Sequence, residues 1–90
     1  VVITGLGAVT PIGIGVSAFW DGIKTSKNGI KPITLVDTSA HSVKFAGEIS
    51  EFRPEDYIDK KEARRMDRFV QFSVVASEEA LANSGLEIND

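Results

Sequence analysis

The 90-residue sequence contains no cysteine, which excludes a disulfide, a thiolate metal site and a cysteine nucleophile within this stretch. It contains one histidine, too few for a histidine-built metal centre. No apolar run approaches the roughly 18 to 20 residues of a membrane span, and no basic-then-apolar leader opens the chain, so the sequence predicts a cytoplasmic protein with no membrane partner. Positive charge is also in short supply. The net charge of -3 argues against nucleic acid, whose phosphates call for a basic footprint. What remains is an ordinary globular composition, 42% hydrophobic and 26% charged, with eight glycines and three prolines.

Val1-Val2-Ile3-Thr4 is a β-branched run closed by Gly5-Leu6-Gly7 and reads as a buried strand already in progress. After a loop through Thr10–Gly15, the apolar residues Val16, Phe19, Trp20 and Ile23 fall at i, i+3, i+4 and i+7, one face of a helix ending before Asn28-Gly29. The stretch from Lys31 to Ser42 lacks periodicity and reads as an irregular connection. Val43, Phe45, Gly47 and Ile49 alternate with polar or small residues and predict a second strand. Pro54-Glu55-Asp56 looks like a helix entry, and Asp59 to Glu62 has the spacing of a capping box. A further helix should run from beyond Asp67 to Ser84, with Phe69, Val70, Ser73, Ala76, Ala80 and Leu81 on its inner face and Gly85 as its stop. Strand, helix, strand, helices is an α/β order. Two strands do not make a stable sheet, so the expectation is one part of a larger domain.

Gly5-Leu6-Gly7 ahead of a helix suggests a dinucleotide-binding turn. The match is poor, because Thr10 stands at the third glycine position and no acidic residue ends a second strand some 20 residues on. A structural turn is the better reading. His41 and Ser42 are adjacent, so in an extended segment they point apart and do not form a base and nucleophile pair. Glu55 and Asp56 suit the positive end of a helix rather than acid-base work. Phe19, Trp20, Phe69 and Phe72 at helical spacing read as core.

The basic residues are the most informative group. At about 100° per residue, Lys60, Arg64, Arg68, Lys61 and Arg65 fall at about 0, 40, 80, 100 and 140° on a continuous helix, within one arc. Residues 60–68 hold five cations and two carboxylates, +3, which leaves five cations and eleven carboxylates, -6, on the rest of the chain. Half the cations of an acidic chain occupy nine residues. Either this is a solvated face with Glu62 and Asp67 as local partners, or it is a docking patch for an acidic partner.

Val2-Ile3-Thr4-Gly5-Leu6-Gly7 followed by Thr10-Pro11-Ile12-Gly13 resembles the opening of the β-ketoacyl-acyl carrier protein synthases. Asp37-Thr38-Ser39, Lys44-Phe45-Ala46-Gly47-Glu48-Ile49, Met66-Asp67-Arg68-Phe69 with Gln71-Phe72, and Ala80-Leu81 to Ser84-Gly85-Leu86 are similar to the same family in the same order. They look closest to the type II synthases of bacterial fatty-acid elongation, with Val36 where a phenylalanine is usual. The resemblance covers nearly the whole chain.

The resemblance implies that residues 1–90 are the N-terminal part of a thiolase-type layered α/β/α fold, in a homodimer that condenses acyl groups with malonyl-acyl carrier protein. Such enzymes use a cysteine and two histidines far downstream of the matched stretch, so these 90 residues alone are expected to carry no catalytic residue. No metal or organic cofactor is implied beyond the phosphopantetheine that the carrier brings. In this family a cationic surface meets the acidic acyl carrier protein, and Lys61, Arg64 and Arg65 stand at the matching positions, flanked by Lys60 and Arg68. The alternatives are the ketosynthase of a polyketide system, or a free-standing module holding an acidic partner through the basic helix.

Overall fold

The computed structural model describes residues 1–88. In chain order it contains β1 (Val9–Thr10), β2 (Gly13–Ile14), α1 (Val16–Lys24), β3 (Ile30–Pro32), β4 (Phe45–Gly47), a 3-10 turn (Pro54–Asp56), α2 (Lys60–Ala63) and α3 (Arg68–Ser84). The strands form two antiparallel hairpins. β1 pairs with β2, with Val9 opposite Ile14, and β3 pairs with β4, with Ile30 opposite Gly47. The irregular connection expected after Lys31 therefore begins inside a strand, and the loop expected at Thr10–Gly15 contains a hairpin. The strand expected over Val43–Ser50 is shorter, Phe45–Gly47, because its partner strand offers only Ile30–Pro32, although Ile33 still donates across to the carbonyl of Lys44.

Val1–Thr4 does not form the expected buried strand. These residues are exposed, Ile3 to 82%, since among the described residues no strand lies alongside to accept and donate ladder hydrogen bonds. Their composition suits a strand, but a strand exists only as part of a pair. Past them, the chain runs against α3. A Cβ on Gly5 would run into the carbonyl oxygen of Ala80, and one on Gly7 into that of Ala76. Gly5-Leu6-Gly7 thus lets two backbones touch, with the small Ala76, Ala80 and Ser84 facing it.

One carboxylate fixes this packing. Glu79 on α3 accepts hydrogen bonds from the N–H of Ala8 and of Val16, both at 2.9 Å. Val16 is the first residue of α1, whose preceding Gly15 offers no side-chain cap, so a residue 63 positions away in sequence caps that helix. α3 ends at Gly85, whose φ of 73° lies in the left-handed region, as its sequence predicts.

The core sits beneath α2 and the first turns of α3. Phe52, Ile58, Ala63 and Val75 are buried, with Phe72, Ile49 and Met66 packed against them. Phe52 stacks on Tyr57 at 5.7 Å and meets Phe72 edge-on at 5.0 Å. The inner face of α3 is the expected one only in part: Ala76 and Ala80 pack on the glycines, but Gln71 and Val75 are its buried residues, whereas Ser73 is exposed and Phe69 is 71% exposed. Trp20, expected in a core, is 55% exposed.

Candidate functional site

The five cations do not share one continuous helix. Lys60 and Lys61 lie on α2, Arg64 is its C-terminal cap, Arg65 occupies the following turn, and Arg68 opens α3. The 140° arc therefore does not exist as drawn. Two causes break the helix. Asp67 is extended, with φ -69° and ψ 160°, and its carbonyl accepts the first N–H groups of α3 from Val70 and Gln71. The N–H groups of Arg65 and Met66 turn to the carbonyls of Glu62 and Ala63, the tighter i→i+3 pattern that closes a helix.

Gln71 holds the break in place. It is buried, and its side-chain amide donates to the carbonyl of Ala63 at 3.0 Å and more weakly to that of Met66 at 3.4 Å. The Ala63 carbonyl already accepts from the N–H of Met66, so the amide adds a second bond there, and it reaches the Met66 carbonyl, whose i+4 donor Val70 turns to Asp67 instead. At the other end, Asp59 accepts from the N–H of Lys61 at 3.2 Å, the expected aspartate cap. The basic turn is thus a short, pinned structure resting on the core.

Within it the cations differ in role. Arg68 donates to the carbonyl of Ile49, and its guanidinium lies 5.0 Å from the centre of the Phe72 ring. It ties α3 to the segment after β4, which removes it from a freely presented patch. Lys60, Lys61, Arg64 and Arg65 are exposed. Among the described residues the salt bridges are Asp21 to Lys24 and Arg53 to Glu55, so neither Glu62 nor Asp67 neutralises a member of the cluster.

Residues 52–55 add what the sequence did not signal. Arg53, in the extended stretch before the 3-10 turn, and Glu55 approach to 3.5 Å beside Lys60 and Arg64. Nothing in local spacing connects Arg53 to the cluster, because the fold rather than a helix period brings it there. His41 sits in an exposed turn, its N–H bonded to the carbonyl of Thr38. Among the described residues no group of three or more histidine, cysteine or acidic side chains is placed to hold a metal ion.

The model of the β-ketoacyl synthase N-terminal domain matches residues 1–90. The chain belongs to the β-ketoacyl synthases. The 3-oxoacyl-[acyl-carrier-protein] synthase 2 of Staphylococcus aureus (strain N315) is 53% identical over 90 residues, which is 100% of this chain and 22% of that protein. The synthase of the same description from Synechocystis (strain ATCC 27184 / PCC 6803 / Kazusa) is 47% identical over the same lengths. A solved structure described as "The ishigamide ketosynthase/chain length factor" superimposes with a TM-score of 0.83 at 32% identity, covering 96% of this chain and 21% of that one. This β-ketoacyl synthase segment therefore spans about a fifth of its relatives' length. Its mixed helices and strands fit the N-terminal portion of a thiolase-type α/β fold.

Proposed function

We propose that the β-ketoacyl synthase domain to which this segment belongs condenses acyl groups with malonyl-acyl carrier protein by decarboxylative Claisen chemistry in fatty-acid elongation. The segment's part is to present Lys61, Arg64 and Arg65 to the acidic carrier, with Lys60 as a flank and Arg68 as the anchor of the turn behind them. The reading is supported by the synthase relatives at 47% to 53% identity. The geometric observation that carries it is a pinned turn with four exposed cations, none of them in a salt bridge among the described residues. Condensation itself belongs to residues elsewhere, since this stretch holds no thiol. The carrier delivers its own phosphopantetheine, and no metal or organic cofactor is proposed. We place the enzyme in the cytoplasm as a homodimer; no helix among the described residues is long and apolar enough to cross a membrane.

A polyketide ketosynthase is the second reading, favoured by the ketosynthase superposition, but the 32% identity there is lower than that to the synthases. Exposed ion pairs contribute about 0 to 1 kcal/mol each, so charge reversal is a stronger test than truncation. In the enzyme of family length, changing Arg64 and Arg65 to glutamate should raise KM for carrier-linked substrates several-fold. It should also flatten the salt dependence of association. Acylation by a short pantetheine thioester without the carrier should change little. Equal loss with both substrates, or no loss with either, overturns the docking assignment.

A further inference from the structure

Beside the basic turn lies an open recess of about 440 Å³ that the family-matched positions do not account for. Arg53, Lys60 and Arg64 line it, and the buried Ala63 and Gln71 form its inner wall. Only Arg64 is shared with the three docking positions named above. The lining carries three cations and one carboxylate, that of Glu55, a formal +2. A second recess, of about 320 Å³ between the two hairpins, sets Lys27 and Lys31 against Glu48 and Glu51 and is formally neutral. The charge excess therefore distinguishes this recess from the second one.

Glu55 shows what chemistry the recess takes. Its Oε1 sits 3.5 Å from Arg53 Nε, while its side chain remains 47% exposed. A hydrogen bond from its own backbone N–H, with smaller contributions from Arg53 and Lys60, holds its carboxyl below the usual value of 4.5. A carboxylate from within the chain thus already occupies one edge of a site with charge to spare. An open recess of this kind does not enclose a small molecule, as ligand pockets do. It suits an acidic side chain projecting from a facing protein surface.

We propose that this recess seats a carboxylate side chain of the acyl carrier protein, with Arg53 as an additional partner-binding residue and Glu55 as the internal carboxylate that the incoming one displaces from Arg53. The proposal rests on the docking reading above and extends it to the side of the turn lined by Arg53, Pro54 and Glu55. Displacement explains why an acidic residue belongs in a basic site. It weakens the encounter with any single anion and favours a partner that brings several.

The test measures affinity of the family-length enzyme for apo and holo acyl carrier protein by surface plasmon resonance at low salt, for Arg53→Ala, Glu55→Gln and Arg64→Glu. Thermal melts check folding. Arg53→Ala should weaken binding about twofold to fivefold, and Glu55→Gln should tighten it by a similar factor, the range a solvated ion pair supports. Both effects should be the same for apo and holo carrier and should shrink as salt is added. A gain of affinity in Glu55→Gln is a result that damage to the fold does not produce. Unchanged affinity in either the Arg53 or the Glu55 variant, while Arg64→Glu still weakens binding, overturns the recess and leaves the docking face standing. Silence in all three overturns both. A loss on Arg53→Ala confined to holo carrier means that the recess takes the prosthetic phosphate, which also overturns the proposal.

Discussion

A methyl group on Gly7 would meet the carbonyl oxygen of Ala76, and neither backbone is free to retreat while Glu79 holds the Ala8 N–H. Gly7→Ala should therefore destabilise the family-length protein by about 3 kcal/mol or more, at or beyond the upper range for overpacking, because backbone rather than side chain must move. Chemical denaturation of the variant checks this. Glu48 gives a pH-dependent counterpart. Its carboxylate accepts from the N–H groups of Thr34 and Leu35 at 2.8 and 2.9 Å, and these bonds, Thr34 first, hold its carboxyl below the ordinary 4.5. The folded value lies below the unfolded one, so the stabilisation is complete above about pH 4.5 and is lost as pH falls through the folded value. Hydrogen exchange at Thr34 and Leu35 should accelerate in that window, and Glu48→Gln should remove the dependence.

Elements that depend on their own residues could be read directly from the sequence. α1 begins at Val16 and α3 ends at Ser84 before Gly85, where periodicity and a terminating glycine place them. Asp59 caps α2 as expected, but through the N–H of Lys61, and the reciprocal Asp59–Glu62 bonds of a capping box are absent among the described residues. What could not be read depends on distant residues. The break after α2 is stabilised by the Gln71 amide from the next helix, so a run of helix-compatible residues from Lys60 to Arg68 gives no warning of it. The cations of the candidate site were legible as a cluster, but their arrangement was not, and Arg53 joins them only through the fold. α1 is the clearest case, since its cap comes from Glu79. Glu79→Ala leaves the N–H groups of Ala8 and Val16 without that acceptor and should cost about 3 kcal/mol, with exchange accelerating first at the start of α1. Uniform acceleration across the chain would instead mark Glu79 as a general core residue.

The described structure exposes more surface than a closed domain does. Its accessible area is 7051 Å², against roughly 5,100 Å² for a compact monomer of this mass. Its radius of gyration is 15.5 Å, against about 12 Å for this length. Val1, Val2, Ile3, Trp20 and Phe69 are all more than half exposed, while the buried apolar core consists of Phe52, Ile58, Ala63 and Val75. So small a core does not offset the conformational entropy of 90 residues. The 90-residue chain on its own should melt without a cooperative transition, bind a hydrophobic dye and aggregate at micromolar concentration. A sharp calorimetric transition with dispersed amide resonances would refute this.

The bond between Ala8 and Glu79 spans 71 residues, and this separation acquires a time when the chain is made from its N-terminus. At about 5 to 20 residues per second, roughly 4 to 14 s pass between synthesis of the amide and synthesis of its acceptor. Apolar collapse takes about 100 µs or less, so it is faster by some four orders of magnitude. Throughout that interval Val1-Val2-Ile3 is an unpaired β-branched run with no α3 to lie beside the glycines that follow it. During translation this segment is therefore at its most sticky while the carboxylate that anchors it has yet to be added. Delaying the ribosome between codons 8 and 79 would lengthen the exposure without changing a single residue of the product.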